Sequence, residues 1–193
     1  LEFRRVLFRS DRAALRGLVN EAGEFAGTVR SRGSLRGILP SVEAEWAAQV
    51  NRVLSYGVIV SHLDSHHHVH TVPSLLPVLK AVQRRFGVYR ARISRNFYSP
   101  EQRPGVVLRV KKSFYNAALR VLPSTTTTDG FTDLDTFLAN SGALPKRWRS
   151  VEIMLHPGAR EGPGELARIR DADARDPSFR ARRISYAALT PGR

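Results

Sequence analysis

One stretch of the sequence carries the strongest signals of fold and function: Gly57-Val58-Ile59-Val60-Ser61-His62-Leu63-Asp64-Ser65-His66-His67-His68-Val69-His70. Val58 to Val60 form a β-branched run that is too short for a helix and follows a glycine, so they predict a buried strand. Five of the six histidines follow this run within nine residues. Imidazole is the commonest metal ligand in proteins, and parallel α/β folds place their functional sites at the carboxyl ends of strands. The stretch therefore predicts a strand that ends in a metal-binding or catalytic loop.

Helix and strand signals alternate on both sides of this stretch. Ser41 can cap a helix that ends before Gly57, and Pro73 can begin a second helix that Gly87 closes. This alternation predicts an α/β fold with a parallel sheet. The predicted strands cover 58–60, 88–93 and 151–155. The predicted helices cover 41–56, 73–86, 106–122, a short segment that starts at Asp133 or Asp135 and ends at Leu138, 165–171 and 180–189.

The sixth histidine also follows a predicted strand. Val151 to Leu155 is a mostly apolar run, and it ends in His156-Pro157-Gly158. A single histidine after a strand is more often structural than catalytic. Two histidine-bearing segments that both follow strands instead indicate a functional edge of a parallel sheet.

The length and composition indicate one globular domain with an unusual charge. The 193 residues are 42% hydrophobic and 25% charged. No segment approaches the roughly 20 consecutive apolar residues of a membrane span. The net charge of +14 is typical of proteins with a polyanionic partner, but the arginines are scattered and do not alternate with aromatic residues. We therefore expect neither a membrane nor a nucleic acid as a partner.

The chain contains no cysteine, so a metal ion could be held only by histidine and carboxylate side chains. A reducing compartment is compatible with this composition, and a cytoplasmic location is our expectation. Residues 1–10 combine apolar residues with three arginines but lack the apolar core and the cleavage site of a secretory signal. We interpret 1–10 as a non-native leader and 11–193 as one partial domain.

Ser61 to His70 closely resembles the Thr-His-Leu-Asp-Ser-His-(His/Gln)-His-Val-His motif of the YdjC-like carbohydrate deacetylases. Similar features follow in the same order: Pro73 with its helix, Arg90-Ala91-Arg92, Thr128-Asp129-Gly130-Phe131 and Val151 to Gly158. The resemblance spans about residues 11–189. On these motifs the chain is identified as a member of this family.

The resemblance implies an α/β fold, namely an incomplete distorted (β/α) barrel of the polysaccharide-deacetylase kind. It also implies hydrolysis of the N-acetyl group of an amino sugar or chitooligosaccharide by means of a divalent metal, Mg²⁺ or Zn²⁺, held by one aspartate and two histidines. The family's Asn-Ala-Asp-Asp-Phe-Gly and Gly-(Leu/Met)-His segments carry two of these ligands and do not occur in this sequence. A catalytic metal needs about three protein ligands. We therefore expect the chain by itself to be inactive.

Five residues are predicted to belong to the site. By the resemblance, His66 is the metal ligand that this sequence retains. His156 is the candidate general acid for the leaving amine, because it follows a strand and imidazole exchanges protons near neutral pH. Asp64 is the second candidate catalytic residue, as a carboxylate that orients a ligand imidazole or contacts the substrate, with a turn-forming role as the alternative. Arg92 and His70 are candidate substrate contacts, and a surface ion pair is the alternative for Arg92.

The expected partner is an N-acetylated carbohydrate, and a homodimer is compatible with the habit of the family. Two other classes remain open. A metal-dependent amidohydrolase also uses His-x-His after a barrel strand, and His66 with His68 or His68 with His70 has that spacing, although the pattern normally lies on the first strand. A non-enzymatic, His-rich metal-binding protein would carry the same histidines in a solvated loop. Acetate release from an N-acetylated sugar distinguishes the deacetylase from both.

Overall fold

The computed structural model describes residues 35–99, 104–121, 124–156, 162–177, 179 and 182–190. These residues belong to two compact units. The first unit contains 35–91, 121, 124 and 125, and the second contains the other described residues. The elements are the helices α1 (Leu39–Leu54), α2 (Leu76–Phe86), α3 (Val106–Val121), α4 (Leu134–Asn140) and α5 (Gly162–Arg175) and the strands β1 (Gly130–Asp133) and β2 (Val151–Met154).

The core of the first unit lies between α1 and α2. Its buried residues are apolar side chains from the start of α1 and from the start of α2, with Trp46 and Val69 packed against them. Because each helix is apolar along one face, pairing the two faces removes both from water. The cluster consists of Leu35, Ile38, Val42, Leu75 and Val78.

Helix α1 begins two residues before the predicted cap. Ile38 occupies the N-cap position, and no side chain accepts a hydrogen bond there, so the prediction of Ser41 as the cap is wrong. Pro40 lies in the first turn. Its fixed backbone angle suits that turn, and its missing N–H would have had no partner within the helix. The prediction of the helix itself is confirmed.

Helix α2 confirms its predicted end. Gly87 has φ of +67° and occupies the C-cap position. Only glycine adopts this left-handed conformation readily, so the glycine ends the helix. The backbone N–H of Val88 then donates to the carbonyl of Gln83 at 3.2 Å.

Lys80 of α2 is a charged side chain inside the first unit, where it is 5% exposed. Its Nζ donates to Oγ1 of Thr125 at 2.6 Å, and this hydroxyl donates to Oε1 of Gln83 at 3.0 Å. Burial and, to a smaller extent, the neighbouring Arg84 lower the pKa of Lys80 to about 8. The charged amine is therefore disfavoured in the folded chain.

We expect the contribution of Lys80 to the free energy of unfolding to rise between about pH 8 and pH 10.5, because over this range the unfolded chain keeps the proton on Lys80 while the folded chain has lost it. Below pH 8 both states are protonated, so the contribution is constant there. Lys80→Met should remove a rise on the order of 1–3 kcal/mol. Urea denaturation at several pH values measures it, with Lys111→Met at an exposed lysine as the control. The same pH dependence in wild type and Lys80→Met would contradict the expectation.

The prediction of a buried strand at Val58 to Val60 is wrong. Ile59 is 90% exposed, and these residues form neither helix nor strand. The parallel pairing instead lies further along, where Leu63 bridges Ala91 and the N–H of Leu63 donates to the carbonyl of Arg90 at 2.9 Å. β-Branched composition favours a pleated surface but does not supply a neighbouring strand, and a strand requires one for its backbone hydrogen bonds. The predicted strand at 88–93 is also wrong, because only residues 90 and 91 form isolated β-bridges there.

The second unit contains a parallel pair of strands. Gly130 pairs with Val151 and Asp133 with Met154, and α4 lies between the two strands in sequence. On the other side of β1, Asn96 forms a parallel bridge with Phe131. The strand predicted at 151–155 is confirmed. The described residues therefore form a mixed α/β structure with parallel strands, and the barrel implied by the resemblance stays a prediction.

Asp129, in the Thr128-Asp129-Gly130-Phe131 segment, lies just before β1 and binds the residues just before β2. Oδ2 of Asp129 accepts the backbone N–H groups of Arg149 at 2.8 Å and Ser150 at 3.2 Å. The ring of Trp148 lies directly against Gly130, where a Cβ would overlap it. The aspartate and the glycine thus have structural reasons to occupy these positions.

Helix α4 begins with a side-chain cap, provided by one of the two residues predicted to start this helix. Asp133 accepts the backbone N–H of Thr136 at 2.8 Å and the Thr136 hydroxyl at 2.8 Å. Of the two predicted starting residues, Asp133 and Asp135, the structure selects Asp133.

Asp133→Ala should lower the free energy of unfolding by about 1 kcal/mol, because the first turn of α4 loses its acceptor. Chemical denaturation measures the change. Asp135→Ala is the matched control: it removes an acidic residue from the same turn, whose exposed ion pair with Arg168 is worth about 0–1 kcal/mol. A larger effect of Asp135→Ala than of Asp133→Ala would contradict the assignment.

Besides α4, two further predicted helices in the second half of the chain are confirmed, and one is not. Helix α3 covers 106–121 of the range predicted at 106–122, whose last residue lies outside the described residues. Helix α5 covers the range predicted at 165–171 and extends beyond it. The helix predicted at 180–189 is wrong for the described residues, where only Tyr186–Ala188 form a short 3-10 helix. Among the described helices, none is long and apolar enough to cross a membrane.

Candidate active site residues

The histidine segment forms a tight local structure in the first unit. A 3-10 helix runs from His66 to Thr71. His68 has φ of +54°, an uncommon left-handed conformation for a residue with a Cβ. The hydroxyl of Thr71 donates to the carbonyl of His68 at 2.8 Å and helps to hold this turn. Conformations of this kind cost on the order of 1–3 kcal/mol and cluster at functional sites.

His70 is the buried centre of this segment and is only 1% exposed. Its Nδ1 lies 2.7 Å from the hydroxyl oxygen of Ser65, and its backbone N–H donates to the same oxygen at 2.9 Å. Oδ1 of Asp64 lies 3.7 Å from Nδ1. Two predicted site residues, Asp64 and His70, therefore come together, and Ser65 joins them. Contacts of this kind to one ring nitrogen fix the orientation of an imidazole.

The side chain of His66, the predicted metal ligand, lies outside the described part of the chain. Its backbone begins the 3-10 helix. Among the described residues, no three histidine, aspartate or glutamate side chains lie close enough together to hold a metal ion. The donors that the structure describes therefore do not fit a complete metal site, and His66 as a ligand stays a prediction.

Arg92 belongs to a buried ion pair in the second unit. Its Nε donates to Oε1 of Glu152 at 2.7 Å, its Nη2 lies 2.6 Å from the same oxygen, and both side chains are 10% exposed. The guanidinium stacks over the ring of Phe131 at 4.4 Å. The predicted alternative, an ion pair, is thus present, but it is buried rather than on the surface. Substrate binding by Arg92 stays a prediction.

Tyr186 completes this cluster. Its hydroxyl donates to Oε2 of Glu152. Burial, together with the negative charge of Glu152, raises the pKa of Tyr186 far above its ordinary value. The phenol therefore keeps its proton and remains a donor to the carboxylate.

His156 lies two residues after the end of β2 and faces solvent. Its side chain is 52% exposed, whereas its neighbour Glu165 in the first turn of α5 is 10% exposed. The backbone N–H of His156 donates to Oε2 of Glu165 at 2.6 Å, and Oε1 of Glu165 lies 3.5 Å from the ring Nδ1. An accessible imidazole thus stands beside a buried carboxylate at the end of a parallel strand.

The sequence predictions omitted three residues that contact the predicted ones, Ser65, Glu152 and Glu165. They also omitted Tyr186, which contacts Glu152. Glu152 gave a signal, because a charged residue inside an apolar strand is rarely buried without a partner. Glu165 lies where an acidic residue favours a helix start, but its contact with His156 depends on the fold. Tyr186 gave no signal in the sequence.

The described residues define a mixed α/β protein with parallel strands, in which histidine and carboxylate side chains meet near paired strand residues. The sequence model of the family described as YdjC-like protein matches residues 2–190, so the chain belongs to the YdjC-like family.

Several relatives carry the name carbohydrate deacetylase. The chain is 34% identical over 121 residues to the one from Vibrio campbellii, covering 61% of this chain and 40% of the relative. It is 30% identical over 143 residues to one from Vibrio cholerae, covering 74% of this chain and 50% of the relative. The one from Halalkalibacterium halodurans is 39% identical over 74 residues, covering 36% of this chain and 30% of the relative. The chain thus spans half or less of the length of these relatives.

A solved structure has a similar fold. A protein from Enterococcus faecalis V583, provisionally named a cellobiose-phosphate cleavage protein, superposes with a TM-score of 0.62 and 21% sequence identity. The match covers 87% of this chain and 68% of that one. At this identity the similarity is evidence of the fold alone.

Proposed function

We propose that this chain belongs to an enzyme that hydrolyses the N-acetyl group of an amino sugar or chitooligosaccharide. The observation that carries the proposal is the pairing of the exposed His156 with the buried Glu165 just after a parallel strand. Membership of the YdjC-like family and the deacetylase names of the relatives support it. The class is a hydrolase that acts on a carbon–nitrogen bond.

Amide hydrolysis needs a proton for the leaving nitrogen. Water adds to the acetamide carbonyl carbon, the C–N bond breaks, and acetate and a free amine leave. In the proposal, the protonated imidazole of His156 gives its proton to the departing amine, because the ring is accessible to a sugar and its Nδ1 lies 3.5 Å from a carboxylate oxygen of Glu165. Positioned acids of this kind accelerate such reactions about 10²- to 10⁴-fold.

Asp64 and His70 have a positioning role in the proposal. The contacts of His70 with Ser65 and Asp64 hold a buried imidazole in one orientation, within the 3-10 helix that begins at His66. A divalent cation, Mg²⁺ or Zn²⁺, with His66 as one ligand is part of the proposal because of the family resemblance. Arg92 remains a candidate contact for the sugar.

Acetate release tests the proposal. The full-length gene product is incubated with N-acetylated chitooligosaccharides, with and without prior chelation, and Mg²⁺ or Zn²⁺ is then added back. We expect acetate release that chelation abolishes and one of the two cations restores. His66→Ala should not regain activity at cation concentrations that restore the wild type. Activity on an unrelated amide with none on N-acetyl sugars would instead favour an amidohydrolase of another class.

A further inference from the structure

The carboxylate of Glu165 makes two contacts with one residue. Oε2 accepts the backbone N–H of His156 at 2.6 Å, and Oε1 lies 3.5 Å from the Nδ1 of its ring. The side chain of Glu165 is only 10% exposed and lies in the first turn of α5. A helix N-terminus stabilises negative charge, which offsets part of the cost of burying this group.

We propose that Glu165 is a positioning residue that holds the proton of the neutral His156 ring on Nδ1, so that Nε2 is the nitrogen that exchanges protons with the substrate. This inference rests on the proposed function only for its effect on the reaction. The preference itself follows from geometry, because a carboxylate near one ring nitrogen favours a proton on that nitrogen.

The contact with the main chain makes the orientation specific. Because Oε2 is held by the backbone N–H of His156, Oε1 stays on the side of the residue where Nδ1 lies. The separation of 3.5 Å is an ion-pair distance rather than a full hydrogen bond, so the interaction is electrostatic in this state. It strengthens when the ring becomes cationic.

In this arrangement the two ring protons of His156 have different roles. The imidazolium carries one proton on Nδ1 and one on Nε2. The Nε2 proton passes to the leaving amine nitrogen as its bond to the acetyl carbon breaks. The neutral ring then keeps the Nδ1 proton beside Glu165. A second proton, from water, restores the imidazolium for the next turnover.

NMR of the ring nitrogens tests the inference without reference to activity. In ¹⁵N-labelled full-length protein at a pH where the ring is neutral, the His156 signals are assigned by their loss in His156→Gln. We expect a protonated Nδ1 and an unprotonated Nε2 in the wild type. In Glu165→Gln, whose amide oxygen can still accept the backbone N–H, the Nε2–H form should increase. Asp135→Asn, which also replaces a carboxylate by its amide but in the first turn of α4, should leave the His156 signals unchanged.

Kinetics supply the second readout. Glu165→Gln should lower kcat for acetate release about 10- to 100-fold, with KM changed less than kcat. A wild-type ring with its proton on Nε2, or the same nitrogen signals in wild type and Glu165→Gln, would overturn the inference. If the signals shift as expected while no N-acetyl sugar is hydrolysed by the wild type, the positioning role stands and the proposed function fails.

Discussion

Glu152→Ala is expected to lower the free energy of unfolding by about 3–5 kcal/mol, because it leaves the guanidinium of Arg92 buried without its carboxylate. Both side chains of the pair are only 10% exposed. The same change removes the acceptor of the Tyr186 hydroxyl, a second and partly buried polar group. Losing one partner of a buried pair costs far more than the pair itself contributes, since the remaining charge cannot reach water.

Chemical denaturation of the full-length protein measures this effect. Asp176→Ala is the matched control, because it removes an aspartate from an exposed ion pair in which Arg182 is 68% and Asp176 is 53% exposed. That change should cost less than about 1 kcal/mol. The double variant Arg92→Met with Glu152→Leu should recover much of the loss, since no charge is then left buried. Equal effects of Glu152→Ala and Asp176→Ala would contradict the buried-pair description.

His156→Gln is expected to lower kcat for acetate release about 10²- to 10⁴-fold while leaving the fold intact. Glutamine keeps the backbone N–H that donates to Glu165 but has no group that gives up a proton near neutral pH. Because the ring is 52% exposed, its loss creates no cavity.

Assays of kcat and of the thermal midpoint Tm on the same proteins distinguish a loss of catalysis from a loss of stability. Arg182→Gln, at a side chain that is 68% exposed, is the control for a surface change. We expect the same Tm in all three proteins and a loss of kcat in His156→Gln alone. Wild-type kcat in His156→Gln would remove His156 from the catalytic role.

The two apolar runs that precede histidines show what sequence can and cannot predict about this fold. Val58 to Val60 and Val151 to Met154 have similar β-branched character, yet only the second forms a strand. The difference lies in the neighbouring strand: β2 pairs with β1 over four residues, whereas near the first run the described part of the chain pairs only at the Leu63 bridge. Local composition predicts the capacity to form a strand, and the pairing depends on residues distant in sequence.

Helices were easier to predict because their signals are local. Asp133 and Gly87 lie at the ends of helices as their chemistry requires. The candidate site likewise contains some contacts between residues near in sequence and others between residues far apart in sequence. Asp64 and His70 are six residues apart and meet through a short turn, whereas Arg92 and Glu152 are 60 residues apart and meet only in the fold. Glu165 lies nine residues after His156, across a segment whose path the sequence does not specify.

The central claim is the hydrolysis of a sugar acetamide with His156 as the proton donor. The most direct measurement is the simultaneous quantification of acetate and free amine after incubating an N-acetylated chitooligosaccharide with the full-length protein and with its His156→Gln variant. We expect acetate and amine in equal amounts from the wild type and a loss of both in the variant. No acetate from any N-acetylated sugar, or undiminished release by His156→Gln, would contradict it.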